Sequence, residues 1–145
     1  VIRTAGLTLS VSLLLMPSLA LARATEHFYS VEEAVQSSLG KQKLLDVSYY
    51  FEGQKHPTPK SVIGKWSSNR STRGAFRSDA ESCQVAFLSA LIALQERAAE
   101  EGGNAIIGIQ SITRGKTTSS PNQYRCVAGA TVVHVGLEGQ VVKLK

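Results

Sequence analysis

The sequence predicts an α+β domain in which an antiparallel sheet of about four strands carries one long helix packed on one face. Three observations lead there. Residues 79–101 hold a continuous helical pattern with a capping signal at its start and a double glycine at its end. Strand-like runs occur on both sides of that helix. A helix with one apolar stripe and a sheet with one apolar face bury themselves most simply against each other.

The elements follow in order along the chain. Ser30, with Glu33 three residues on, marks a capping box for a short helix over Val31–Leu39, ended by Gly40. Leu44–Phe51 is rich in aromatic and β-branched side chains and stops at Glu52-Gly53, which predicts a strand. His56-Pro57-Thr58-Pro59 is a loop, because each proline lacks a donor and restricts its predecessor. Ser61–Ser67 is the next strand candidate, and polar Ser67–Gly74 is expected to be a mobile loop.

The helix itself begins at Ser78, whose hydroxyl is placed to cap it while Glu81 returns the bond. Cys83, Phe87, Ala90, Leu91, Leu94 and Ala98 recur at spacings of three and four, which makes one apolar stripe. Gly102-Gly103 supplies the left-handed backbone that stops helices. Beyond it, Ala105–Ile112 reads as a buried strand, Thr113–Asn122 as a loop, Gln123–Val135 as a long strand and Gln140–Leu144 as an edge strand.

Ahead of all these, Arg3 is followed by an apolar run from Ala5 to Met16, then Pro17 and the small-residue step Ala20-Leu21-Ala22. That order predicts a secretory signal peptide over residues 1–22, cut after Ala22 or alternatively after Ala24, which leaves residues 23–145 as one exported domain. The run is shorter than the roughly 20 apolar residues of a membrane span. Neither cysteine lies near the cut, so no lipid anchor is expected and the product is predicted to be periplasmic or secreted. At 43% hydrophobic and 19% charged, the composition suits one modest core and is far from that of a disordered chain.

Export bears on the two cysteines, because an oxidising compartment favours a disulfide. Cys83 belongs to the helix stripe, and Cys126 shares a strand face with Ala128, Ala130 and Val132, small side chains that let a helix lie close above. A Cys83–Cys126 bond across that interface should stabilise the fold by about 2–4 kcal/mol. The alternative is a redox-active thiol at Cys83, whose place in the first helical turn lowers a thiol pKa, although the sequence has no Cys-x-x-Cys.

Charge is concentrated in residues 41–77, where eight Lys and Arg face only Asp46 and Glu52. Lys55, Lys60, Lys65, Arg70, Arg73 and Arg77 are the expected contacts for an anionic envelope component or a protein partner. Nucleic acid is not expected as the partner of an exported chain. Gly115-Lys116-Thr117 imitates the end of a phosphate-binding loop, but Gln110 stands where that motif requires glycine. His27, His56 and His134 are widely separated, so no metal site and no cofactor are expected, and His134 reads as a strand residue held by a polar neighbour. No catalytic set emerges. The leading expectation is a non-enzymatic binding or envelope-sensing module, and the alternative is a small secreted hydrolase or effector.

Ala90–Ile109, an Ala- and Leu-rich helix that ends in Gly102-Gly103-Asn104-Ala105 and runs straight into an apolar strand, resembles the signature of the small YbjQ-like proteins, as does Val127–Val133 with its small residues followed by valines. The likeness spans about residues 76–135 and extends to RcsF-like envelope-stress lipoproteins, which share a similar turn and are exported and disulfide-bonded. It implies a compact α+β fold without a shared chemistry, so no functional residue carries over. Proteins of this look are sometimes catalogued as excinuclease ATPase subunits, a role that the missing phosphate loop and zinc-ligand pairs oppose. Gly103 stands where the family pattern has Ala. The chain also lacks the lipid-bearing cysteine of the RcsF-like proteins, and YbjQ-like proteins typically have no signal peptide and tend to form rings.

Overall fold

A computed structural model of the chain describes residues 24–74 and 77–145. The signal-peptide expectation for residues 1–22 lies outside the described residues. The element order is β1 (Thr25–Ser30), α1 (Val31–Gln36), α2 (Ser38–Lys43), β2 (Ser48–Phe51), β3 (Ser61–Arg73), α3 (Asp79–Glu100), β4 (Ala105–Ser111), a short 3-10 turn (Thr113–Gly115), β5 (Gln123–Ala128) and β6 (Val132–Lys143). The fold is α+β with a long helix on the sheet, as the sequence predicts. The sheet differs from the expectation: it has six strands in the order β1-β5-β6-β4-β2, with β3 also on β6, and it is mixed because β2 runs parallel to β4.

The reason is β6, which is long enough to serve several partners. Its whole length, Val132–Lys143, pairs antiparallel with β3. On its other edge β5 occupies the first residues, at Val133 and His134, and β4 the stretch from Leu137 to Val142. Residues 140–144, expected as an edge strand, therefore lie largely inside the sheet, with Val141 and Val142 fully buried. The expected single strand 123–135 is two strands, since the chain turns at 129–131 and Gly129 N–H donates to Val132 O at 2.8 Å.

Where β5 gives way to β4, the side chain of Thr113 bridges the fork, and Ser111 Oγ accepts from Arg125 N–H beside it. Gly136 N–H donates to Thr113 Oγ1 (3.0 Å), and the same hydroxyl donates to Arg125 O (2.8 Å). Both backbone groups would otherwise be stranded at the split, and Thr113 itself is fully buried.

Helix α3 has the predicted cap: Ser78 and Glu81 exchange side-chain and backbone hydrogen bonds. Gly102, at φ +82°, turns the chain out of the helix. Gly103 then approaches β6 so closely that an added Cβ would lie 2.5 Å from Val141 Cγ1, which is a packing reason for glycine at this position. Asn104 uses its side-chain amide to pair with the backbone of Leu144 in both directions. Glu100 and Glu101 sit at the unfavourable end of the helix dipole, but Arg97 contacts both carboxylates and its guanidinium lies over the Trp66 ring.

The stripe residues of α3 pack on Cys126, Val133, Val135, Leu137 and Val141. Phe87 stacks on Tyr124 at 4.0 Å between ring centroids, and Cys83 and Cys126 are disulfide-bonded. Gln95 is the polar exception in this core. Its Nε2 donates to Leu45 O and Val47 O, and its Oε1 accepts from Leu45 N–H. Those bonds hold residues 45–47 against the helix, so the strand expected from Leu44 begins only at Ser48.

Two further corrections are local. The helix expected over 31–39 is broken at Ser37, whose hydroxyl donates to Ala34 O while accepting from Gly40 N–H. The expected loop Ser67–Gly74 is mostly β3, because the backbone of β6 supplies partners as far as Arg73. Among the described residues no helix is long and apolar enough to cross a membrane.

Candidate functional site

Strand β3 runs for 13 residues, about 40 Å at the usual rise per residue. One edge pairs with β6, and among the described residues no strand pairs with the other. Such an edge presents a row of backbone donors and acceptors. From Ser61 to Arg77 the chain carries Lys65, Arg70, Arg73 and Arg77 and no acid.

The fold brings only part of the predicted cationic set together. Lys65, Arg70 and Arg73 lie on β3, and Lys60 enters it, its N–H donating to Lys143 O at 2.7 Å. Lys55 belongs to the preceding loop beside His56, and Arg77 lies beyond the strand. Side chains alternate along a strand, so Lys65 and Arg73 point to one face and Arg70 to the other. What they share is the open edge, not a common face. Lys65 is in addition paired with Glu138 at 2.9 Å, whereas Arg70 Nη1 donates to Asn69 O at 3.1 Å.

A hollow lies beside β3 on each side of the sheet. Toward the helix, Trp66, Ser68, Arg70, Glu96, Arg97 and Glu100 line a cavity of about 230 Å³. Ser68 Oγ is buried there without a hydrogen-bond partner among the described residues, an uncommon state for a hydroxyl. On the opposite side, Asn69, Ser71, Arg114, Gly115 and His134 are among the residues that line a cavity of about 190 Å³.

In that second hollow Ser71 Oγ and His134 Nδ1 are hydrogen-bonded at 2.8 Å, across a directly opposed pair of β3 and β6. The polar neighbour expected for His134 is thus Ser71. A hydroxyl next to an imidazole is also the contact of a nucleophile and its base. An orienting group is missing, since His134 Nε2 meets no carboxylate among the described residues.

Behind this hollow the 3-10 turn is clamped to the sheet. Arg125, nearly buried, donates through Nε to Glu26 and through Nη1 to Thr113 O, and Lys116 Nζ reaches the same carboxylate at 3.3 Å. Hydrogen bonding from Arg125, then from Lys116, lowers the Glu26 pKa below its ordinary value. Arg114 and His134 lie outside the 41–77 segment, and sequence spacing gave no sign that they would meet β3. Among the described residues no cluster of three or more His, Cys, Asp or Glu is placed to hold a metal ion.

Larger and more apolar is a groove of about 400 Å³ between α2 and α3, lined by Leu39, Leu45, Val85, Leu88 and Ile92 with Lys43 and Glu96 at its rim. No family model and no curated protein matches this chain.

Proposed function

We propose that this chain is an exported, non-enzymatic interaction domain that receives an extended acidic segment of a protein partner on the open edge of β3. The observation that carries the reading is the edge itself: 13 residues long, unpaired among the described residues, and cationic without an acid. Main-chain hydrogen bonds supply affinity in strand addition, and alternate side chains supply selectivity. The helix-side hollow beside β3, with Ser68 Oγ unpartnered, is placed to take one such side chain. The cations also act against self-pairing, since a second copy of β3 would bring like charges together. Export rests on the pattern of residues 1–22, and the disulfide fits an oxidising compartment.

The test is NMR-detected amide exchange of the protein titrated with an alternating Glu–Val peptide and, as a control, an alternating Lys–Val peptide. The Glu–Val peptide should protect every second amide of β3 and lose affinity as salt is raised through the range where the Debye length falls below about 10 Å. Equal binding of the Lys–Val peptide, or protection that spares β3, would sink this reading.

A small hydrolase remains the second reading, on the strength of the Ser71–His134 contact alone. Covalent labelling of Ser71 by a fluorophosphonate would favour it over the first.

A further inference from the structure

We infer that the hollow between β3, β6 and the 3-10 turn is a binding site for one tetrahedral oxyanion, the phosphate group of free phosphate, a small ester or a lipid headgroup. Its about 190 Å³ is below the roughly 300–1,000 Å³ of pockets that enclose drug-sized ligands, so a single group is what fits. Its titratable side chains are Arg114 and His134, Arg70 bordering it while its side chain turns to the helix side, and among the described residues no carboxylate lines it.

Donors are left open at this site. Arg114 is exposed and makes no side-chain hydrogen bond or ion pair among the described residues, so its guanidinium fork can meet two oxygens of a tetrahedral anion. His134 commits Nδ1 to Ser71. When the Ser71 hydroxyl donates to Nδ1, the neutral imidazole carries its proton on Nε2 and offers a further N–H.

The backbone gives an independent sign. Arg114 has φ +55° and is the one non-glycine residue at positive φ among the described residues. A side chain with a Cβ is costly there, and Gly, Asn or Asp would occupy the position more cheaply. An arginine held in that conformation is explained if its guanidinium is needed at that place. The turn around it is also fixed: Gly115 N–H donates to Ile112 O, Lys116 N–H to Thr113 O, and Thr113 and Arg125 anchor it to the sheet. With the backbone of the turn already fixed, only the side-chain rotamers of Arg114 remain to be ordered when the anion arrives.

The experiment is a titration of the exported chain with inorganic phosphate in chloride buffer, followed by amide and His134 side-chain NMR signals. Saturable shifts at residues 113–115, Ser71 and His134 are expected, with a Kd of about 1 mM or tighter. Arg114→Gly removes the guanidinium and suits the positive φ, so it should keep or raise the Tm while weakening phosphate binding by about tenfold. His134→Gln should weaken it as well. Glycerol 3-phosphate and phosphatidylglycerol vesicles then separate the sources: Arg114-dependent binding to vesicles assigns a headgroup, and Arg114-dependent binding to the ester alone assigns a small phosphate. Absence of saturable shifts, or an unchanged affinity in Arg114→Gly, overturns the site. Phosphate binding does not require the open edge of β3, so failure of the peptide titration and failure of this one are separately visible.

Discussion

On the helix side of the sheet, the apolar stripe of α3 meets the valines, Leu137 and Tyr124 of β5 and β6, with a disulfide through the middle. On the other side, near the 3-10 turn, the same two strands are held by Thr113, Arg125 and Glu26. The first surface is stabilised by area removed from water, which tolerates some repacking. The second depends on a few polar groups that satisfy one another, where loss of one member strands the rest. A binding site is more readily built on the second kind of surface. Its donors are fixed in direction, and some of them remain open to a ligand.

The largest energetic difference between the two faces lies at the disulfide. Replacing both partners, C83A/C126A, is expected to cost about 4 kcal/mol by the chain-entropy argument for a sequence separation of 43. Urea denaturation followed by circular dichroism would read this as a lower midpoint, and a loss below about 1 kcal/mol would show that packing alone holds the interface. Thr113→Val keeps the side-chain shape but strands Gly136 N–H and Arg125 C=O, for an expected loss of about 2 kcal/mol. Amide exchange should rise around residues 112–116 and 134–137 and not in α3. Uniform acceleration across the molecule would mean that the two faces do not behave separately.

Solution pH gives a smaller and more selective contrast. The Glu26 pKa is lowered, chiefly by the hydrogen bond from Arg125. Its contribution to stability is therefore present above the ordinary value of 4.5 and is lost as pH falls through the lower, folded-state value. Tyr124, on the helix side, has its pKa raised, mainly by burial. The neutral phenol is favoured in the fold, so that contribution is present below the ordinary value of 10.0 and is lost as pH rises through the folded-state value. Glu26→Gln should flatten the acid limb of a Tm-against-pH curve while leaving the alkaline limb in place. A change on the alkaline limb would count against this assignment.

Much of the helix side was legible in the residues. The cap at Ser78, the stripe of α3 and the stop at Gly102 are local signals, each read within a few residues. Strand β3 beyond Ser67 was not, because Ser67–Arg73 has no apolar alternation and takes its conformation from the β6 backbone beside it. Gly136 and Gly139 weaken the strand pattern of β6. The structure needs them there: a Cβ on Gly139 would lie 2.6 Å from Ile106 Cγ2, and one on Gly136 would collide with Asn69 Oδ1. The parallel pairing of β2 with β4 had no signal, since strand direction depends on which neighbour is met.

The basic segment shows the same division. Sequence established that Lys60, Lys65, Arg70 and Arg73 are close along the chain and lack acids among them. It could not say that they would share a strand edge while pointing to opposite faces. The long helix and its buried stripe were legible in the residues alone, because periodicity and capping are properties of short stretches, and with two cysteines in the chain a bond within it could only join Cys83 to Cys126. Tertiary structure alone decided that Ser71 and His134, 63 residues apart, would touch beside Arg114. That meeting depends on strand order, and strand order is set by long-range pairing of backbone donors and acceptors that are the same whatever side chains the strands carry.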